Sequence, residues 1–199
     1  RSARSTIIRE TQDFSTGVLD AQARLAAQSE AIPLHLHSLG FALEHCLRMH
    51  PPHTLGAADV LLVNDPYHGG QHLPDILAFR PVFHEGRRVA IVGTLCHHLD
   101  VGGMSPGSYA ATATEIYQEG IRIPPIRLFR AGVRNDEVWA MLGQNVRQPA
   151  IVLGDLQSQI ASLEVGVANV RKLAAKYGPD TLTSACAALL DASEAAMRD

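Results

Sequence analysis

Two polar segments, both beginning between Val60 and Asp100, hold the residues best suited to chemistry. Residues 64–75 have the sequence NDPYHGGQHLPD, and residues 97–103 have the sequence HHLDVGG. Each segment combines imidazoles and carboxylates with paired glycines. Imidazole together with carboxylate suits zinc, manganese or ferrous iron, whereas an all-oxygen set suits calcium or magnesium. The two segments therefore predict a metal site.

The spacing of these residues indicates which of them can meet. His72 and Asp75 lie three residues apart across a Leu-Pro pair, and proline disfavours helical backbone at the residue before it. A bent loop can therefore aim both side chains inward. His97 and His98 are adjacent at a predicted strand end, so they point to opposite faces. Only one of them can readily share a site with His72, while the other, like the nearby Asp100, could support a ligand or act on substrate.

Structural explanations of the same residues stay open at this stage. The histidines could cap turns and hydrogen-bond within a fold that has no metal. Asp65 could form an Asx turn with Pro66, and the glycine pairs at 69–70 and 102–103 could allow close backbone approach to a ligand. Three further histidines are expected to be surface or satisfied core residues: His35, His37 and His45.

The elements that must position these residues follow from hydrophobic periodicity and from turn residues. The segment from Asp13 to Gln28 predicts a β-hairpin, and residues 34–49 predict a helix that ends at two prolines. Strands are expected at 60–63, 76–83 and 88–95, and a long functional loop with a return strand follows at 106–125. Helices are expected from 136, over 150–177 and over 181–197, with Asp180 as the last N-cap. The fold class is α+β, with a mixed β-sheet core, metal-binding strand-end loops and C-terminal helices.

Composition narrows the classes of partner. The chain has 199 residues and a formal net charge of -3, so it has no basic field for nucleic acid or for an anionic membrane. No apolar run reaches the roughly 18–20 residues that a membrane span needs. The three cysteines are widely spaced, and the N-terminal residues lack the apolar core of a secretory signal. We therefore expect a cytoplasmic protein that acts on a small molecule. It has no P-loop or GxGxxG motif with which to bind ATP or a dinucleotide.

Several consecutive motifs resemble the hydantoinase B family. They are NDPY at 64–67, GG at 69–70, HLPD at 72–75, HH at 97–98, DVGG at 100–103, PGS at 106–108, EI at 115–116, EG at 119–120, IPP at 123–125, NVR at 145–147 and GDL at 154–156. The family includes B subunits of N-methylhydantoinases, the C-terminal part of 5-oxoprolinases and large subunits of acetone and acetophenone carboxylases. Its subunits are longer than this chain, which resembles their N-terminal portion, with a metal-site region at 1–135 and a helical region at 136–199.

The resemblance implies a complete set of metal ligands, which the residue types and spacing alone did not give. Matching motif by motif, the metal ligands are Asp13, His72, Asp75 and His97. Asp13 would otherwise be interpreted as a polar surface residue. His98 and Asp100 become the catalytic or substrate-facing candidates. One departure from the family is Ala23, where relatives commonly have glycine in the hairpin turn.

The resemblance also implies a division of labour. A hydantoinase A-type partner subunit uses ATP to phosphorylate the substrate oxygen, and this subunit, with a divalent metal that is best predicted as zinc with manganese or iron as alternatives, hydrolyses the activated cyclic amide. The expected assembly is a hetero-oligomer. Two alternatives stay open: a subunit of an ATP-dependent ketone carboxylase, and a non-catalytic assembly subunit whose helices bind the partner.

Overall fold

The computed structural model describes residues 2–29, 32–35 and 37–198. The strands are β1 (Phe14–Leu19), β2 (Leu25–Gln28), β3 (Val60–Val63), β4 (Asp75–His84), β5 (Arg87–His97), β6 (Ile126–Arg130) and β7 (Val133–Arg134). The helices are α1 (Thr6–Arg9), α2 (Ser38–Met49), α3 (Asp136–Gln144), α4 (Pro149–Tyr177) and α5 (Pro179–Arg198). The five short 3₁₀ turns are Pro33–His35, Pro52–Thr54, Pro66–His68, Pro106–Ser108 and Ile116–Gln118.

The strands form one seven-stranded sheet in the order β2-β1-β5-β4-β3-β6-β7. Every strand pairing among the described residues is antiparallel. The predicted α+β class with C-terminal helices is confirmed. The sheet itself was expected to be mixed, and its described pairings are antiparallel instead. The interior strand β5 is buried along most of its length, as expected for a strand that is covered on both faces.

Helices cover the two faces of the sheet and create two cores. On one face, α2 packs against alternate residues of β3, β4 and β5, and on the other face α4 packs against the residues between them. The α2 core includes Leu39, Leu43, Leu61, Leu77, Phe79 and Leu95. The α4 core includes Leu62, Ile76, Ala78, Val92, Leu156, Leu163 and Val167. This alternation fixes which face each residue at a strand end must adopt.

Most predicted elements are present, with shifts at their ends. The predicted helix 34–49 begins later, at Ser38, because His37 has a φ of 66° in the left-handed region; Leu36 lies outside the described residues. The last helix begins at Pro179, a residue whose fixed φ suits the first helical position. Asp180 therefore lies in the first turn of α5. In the hairpin turn, Ala23 has a φ of 70°, which is a conformation that glycine adopts more easily.

Throughout the part of the chain that the structure describes, no helix is both long and apolar enough to cross a membrane.

Candidate metal centre

Three neighbouring strands bring predicted site residues to one end of the sheet. In the register of β1, β5 and β4, Phe14 lies opposite Cys96, and Asp75 lies opposite His97. Asp13 directly precedes β1, and its carbonyl accepts a hydrogen bond from the amide of His97 at 3.0 Å. Residues that lie opposite each other on neighbouring strands share a face of the sheet. Asp13, His97 and Asp75 are therefore collected on the face that α2 covers.

His72 reaches the same place from the loop that precedes β4. The loop bends back so that the amide of Asp75 donates to the carbonyl of His72 at 3.0 Å. Nε2 of His72 lies 2.9 Å from Nδ1 of His97 and 3.1 Å from Oδ1 of Asp75. Nδ1 of His97 lies 3.2 Å from the same oxygen. Two nitrogens and one oxygen thus form a compact triangle, which we call the His-Asp-His triangle.

The His-Asp-His triangle has the dimensions of a set of metal ligands. Ligand atoms at about 2.1 Å from one ion lie roughly 3.0–3.4 Å from each other in octahedral or tetrahedral geometry, close to the separations measured here. Without an ion, the contact between the two imidazole nitrogens requires one ring to donate and the other to accept. A divalent ion held there would accept a lone pair from each of the three atoms. Two nitrogens and one carboxylate oxygen fit a divalent transition metal and leave positions for further ligands.

The charge state of Asp75 suits this role. Burial alone would raise the pKa of its carboxyl, but hydrogen bonds from His72 and His97 outweigh burial and lower the pKa to about 2. The pKa of His72 is raised, chiefly by its hydrogen bond with Asp75 and against the effect of burial. Asp75 is therefore ionised at neutral pH, as a metal ligand must be.

Asp13 lies beside the His-Asp-His triangle, and a histidine connects the two. Only the triangle brings its ligand atoms within 4.8 Å of one another among the described residues. Oδ1 of Asp13 is 3.5 Å from Nε2 of His35, and that nitrogen is 3.9 Å from Oδ2 of Asp75. The ligand role of Asp13 stays a prediction, since its carboxylate is separated from the triangle by His35.

His35 is the site residue that sequence reasoning missed. We expected a surface or satisfied core histidine, and the structure shows a side chain that is only 2% exposed and faces two carboxylates. Burial lowers the pKa of His35 despite the nearby carboxylates. The position directly after Pro33 and Leu34 gave no signal, because no local spacing relates residue 35 to Asp13 or Asp75.

His98 points to the opposite side of the sheet, as expected for a residue adjacent to His97. It is fully buried, and its Nε2 lies 3.0 Å from Oε1 of Gln159 on α4. The side-chain Nε2 of Gln159 donates in turn to the carbonyl of Ile76 at 2.8 Å. These contacts attach α4 to the sheet. The catalytic role of His98 stays a prediction, and no observed contact joins its side chain to the His-Asp-His triangle.

Asp100 holds the loop that follows β5. Its Oδ1 accepts from the amides of Gly102 at 2.9 Å and Arg147 at 3.0 Å. Its Oδ2 accepts from the amide of Gly107 at 3.0 Å and from the guanidinium of Arg147 at 2.9 Å. The carboxylate therefore joins residues 102–107 to the segment between α3 and α4. Its catalytic role also stays a prediction, since its observed partners are all loop groups.

The first polar segment is held by Asn64 and Asp65. Nδ2 of Asn64 donates to the carbonyls of Leu73 at 2.7 Å and Ile121 at 2.9 Å, and its Oδ1 accepts from the amide of Ile123 at 2.6 Å. Asp65 accepts from the amide of Tyr67 at 3.0 Å, which is the predicted Asx turn. Both residues fix the loop that carries His72.

The glycines of the polar segments approach the chain itself. At Gly69, φ is 101°, and a Cβ would lie 2.4 Å from the backbone nitrogen of Ala42 in α2. At Gly103, φ is 82°, and a Cβ would lie 2.6 Å from the carbonyl oxygen of Gln118. Close packing of the site loops against neighbouring backbone therefore explains these two glycines.

We expect Gly69→Ala to destabilise the protein by about 2–4 kcal/mol, because a left-handed alanine and a backbone clash with α2 add together. The matched control is Gly86→Ala, where φ is 77° but nothing lies within 4 Å of the added Cβ; it should cost only about 1 kcal/mol. Urea denaturation of both variants measures the difference. Equal losses would show that the contact with α2 is unimportant.

Two cavities flank His72. The smaller, about 230 Å³, is lined by Tyr109 and Ser108, and the larger, about 390 Å³, is lined by Tyr67 and Gln71. His72 and Glu119 line both. The Tyr109 ring lies with its centroid 6.2 Å from that of His72 and 6.0 Å from that of His97. A small molecule in either cavity would therefore meet the candidate metal centre at His72.

These features define the class of protein: an α+β protein with a candidate divalent-metal centre at its strand ends, open to cavities of small-molecule size. The chain belongs to the hydantoinase B/oxoprolinase family, whose family model matches residues 1–199.

Named relatives agree with this assignment. An uncharacterized protein of Methanocaldococcus jannaschii is 39% identical over 195 residues, covering 97% of this chain and 35% of the relative. Caprolactamase subunit beta of Pseudomonas jessenii is 34% identical over 200 residues, covering 100% of this chain and 34% of the relative. The chain thus spans about a third of the length of these curated relatives.

Solved structures confirm the fold. The crystal structure of ATP-dependent caprolactamase from Pseudomonas jessenii matches with a TM-score of 0.87 and 34% identity, covering 94% of this chain and 32% of that chain. Nucleotide-free acetone carboxylase matches with a TM-score of 0.85 and 21% identity, covering 92% of this chain and 25% of that chain. The family is therefore related to ATP-dependent amide hydrolases, and its fold is shared with a carboxylase.

Proposed function

We propose that this chain forms part of a metal-dependent subunit of an ATP-dependent enzyme that hydrolyses a cyclic amide. The observation that carries the proposal is the His-Asp-His triangle, in which Nε2 of His72, Nδ1 of His97 and Oδ1 of Asp75 lie 2.9–3.2 Å apart. Membership in the hydantoinase B/oxoprolinase family supports it. So does the similarity to a caprolactamase, an enzyme named for a lactam.

The chain's own residues would hold the metal and shape the approach to it. Asp75 and His97 are buried, whereas the side chain of His72 is 38% exposed, so the open side of the site faces the two cavities. Asp13 is the proposed fourth ligand. A divalent ion there would supply an electrophilic centre that activates water or polarises a carbonyl oxygen.

The walls of the cavities suit a small neutral substrate. Tyr109 offers an aromatic surface beside both ligand histidines. Glu119, which lines both cavities, is an acceptor for an amide N–H. A lactam or hydantoin ring presents one flat apolar side together with adjacent N–H and C=O groups, and it can use both features.

ATP would be used by a partner subunit. This sequence has no P-loop, and a caprolactamase relative is called subunit beta. We propose a hetero-oligomer in which a hydantoinase A-type ATPase phosphorylates the amide oxygen, after which this subunit completes hydrolysis. Zinc is our first choice of metal, because a mixed nitrogen and oxygen set suits it.

The test is ATP-dependent turnover of a cyclic amide by the full-length subunit combined with its ATPase partner. We expect His72→Ala to abolish turnover while folding is retained, and His53→Ala, on an exposed turn, to leave turnover unchanged. Unaltered turnover in folded His72→Ala would point to an assembly role. Turnover that requires bicarbonate would point instead to a ketone carboxylase.

A further inference from the structure

His35 lies between the two carboxylates at the candidate metal centre and touches neither of them closely. Its Nε2 is 3.5 Å from Oδ1 of Asp13 and 3.9 Å from Oδ2 of Asp75. Both separations exceed the roughly 2.9 Å of an optimal N–H···O hydrogen bond. The nitrogen therefore lies between two carboxylates, one directly before β1 and one at the start of β4. The ring itself is buried.

The other ring nitrogen of His35 is fixed by Ser15. Nδ1 lies 2.9 Å from Oγ of Ser15, a buried residue of β1 on the same face as Asp13. If Ser15 donates to Nδ1, the imidazole proton is on Nε2 and points towards the two carboxylates. The reverse arrangement would direct a lone pair at two negative charges. Electrostatics therefore favours the tautomer in which Nε2 donates.

The carboxylate of Asp75 has separate partners for its two oxygens. Oδ1 contacts the ligand atoms of His72 and His97, whereas Oδ2 faces His35. At 3.9 Å an N–H group on Nε2 acts on Oδ2 by electrostatic attraction and not through a hydrogen bond. This attraction favours the carboxylate orientation that leaves Oδ1 in the triangle. The same group attracts the carboxylate of Asp13, which lies outside the set of ligand atoms that form the triangle among the described residues.

We propose that His35, oriented by Ser15, is a positioning residue that presents the carboxylates of Asp13 and Asp75 to the metal ion. This inference rests on the proposed function, because it requires that the site binds a metal. Histidine and carboxylate groups that hold ligands in this way commonly change metal affinity by about 10–100-fold when removed. His35 would act through Asp13 and Asp75 and would make no bond to the ion.

The test measures Co²⁺ affinity of the full-length protein by competition with a chelator. We expect His35→Ala to bind Co²⁺ about 10–100-fold more weakly than wild type. In His35→Gln the amide nitrogen takes the place of Nε2, so affinity should be largely rescued. His35→Asn, whose amide nitrogen corresponds to Nδ1, should stay weak. Ser15→Ala should weaken binding in the same direction.

Spectroscopy distinguishes positioning from direct ligation. At saturating Co²⁺, the visible absorption spectrum of His35→Ala should match wild type, because the ligand set is unchanged. His53→Gln is the control for loss of an exposed histidine, and thermal melting of each apo variant reports any loss of folding.

Three results would overturn the inference: undiminished affinity in His35→Ala, equally weak binding in the Gln and Ala variants, or a changed Co²⁺ spectrum at saturation. If wild type itself binds no Co²⁺, Zn²⁺ or Mn²⁺, the proposed function fails first and the inference fails with it.

Discussion

His97→Ala is expected to remove the metal from the full-length protein and to abolish ATP-dependent turnover with the partner subunit. His97 is the buried member of the His-Asp-His triangle that contacts both others, at 2.9 Å from His72 and 3.2 Å from Asp75. Four-ligand zinc sites provide about 10–16 kcal/mol in peptides, so one ligand contributes about 3 kcal/mol. Affinity should therefore fall by a factor of about 100 or more.

Elemental analysis after dialysis against a weak chelator measures this effect directly. The control is His53→Ala, since His53 is exposed on the 3₁₀ turn Pro52–Thr54 and lies outside the candidate centre. Its metal content should equal that of wild type. Full metal occupancy in a folded His97→Ala protein would rule out His97 as a ligand and would undermine the proposed function.

Asp100→Ala should produce the largest loss of stability that we expect at the site. The carboxylate is 2% exposed and accepts four hydrogen bonds, from Gly102, Gly107 and twice from Arg147. The Arg147 side chain is 38% exposed and can be rehydrated, so the cost comes chiefly from the loop amides that lose a charged acceptor. Hydrogen bonds to charged groups contribute about 1.5–3 kcal/mol each and are not additive, so we expect a loss of about 3–5 kcal/mol. Chemical denaturation of the apo protein measures this cost.

Asp136 provides the matched control for Asp100. It also pairs with an arginine, Arg134, but its side chain is 76% exposed, so Asp136→Ala should change stability by less than about 1 kcal/mol. The comparison also addresses the catalytic role predicted for Asp100. If Asp100→Asn keeps wild-type stability and loses turnover, Asp100 is catalytic. Parallel losses of stability and turnover would indicate that Asp100 holds the loop after β5 in place.

The contribution of Asp100 to the free energy of unfolding should depend on pH in one direction. Burial would raise the pKa of Asp100, but the amides of Arg147, Gly102 and Gly107 together with the Arg147 guanidinium outweigh it and lower the pKa. A lowered pKa stabilises the folded state above the unfolded value of about 3.9. The free-energy difference between wild type and Asp100→Asn should thus be constant from about pH 6 to about pH 8, and it should shrink below about pH 4.

Local sequence patterns predicted the elements well where one physical signal dominated. The four-residue apolar run at Val60–Val63 forms β3 as expected. The three- and four-residue steps after Pro149 form α4, which ends before Gly178. Helix α2 was placed less well at its start, because the left-handed residue His37 carries no sequence signal comparable to a glycine. Periodicity identifies elements better than it locates their ends.

The sequence also predicted that His97 and His98 point to opposite faces of the sheet. Successive strand residues point to opposite faces, and His97 contacts His72 and Asp75 while His98 contacts Gln159. Sequence could not identify Gln159 as the partner of His98. That contact spans 61 residues, and it depends on how α4 crosses the sheet.

The sequence by itself determined the types of candidate ligand, the bend that joins His72 to Asp75, and the family to which the chain belongs. Only the tertiary structure decided which residues of the two polar segments gather at one place. The antiparallel register of β1, β5 and β4 brings Asp13, His97 and Asp75 side by side, and the turn before α2 adds His35. Register and packing are set by contacts between residues distant in the chain, which no local spacing encodes. The structure also shows that Asp100 accepts hydrogen bonds from loop amides. Its position near two glycines in the sequence did not predict this role, because one of its partners, Arg147, is distant in the chain.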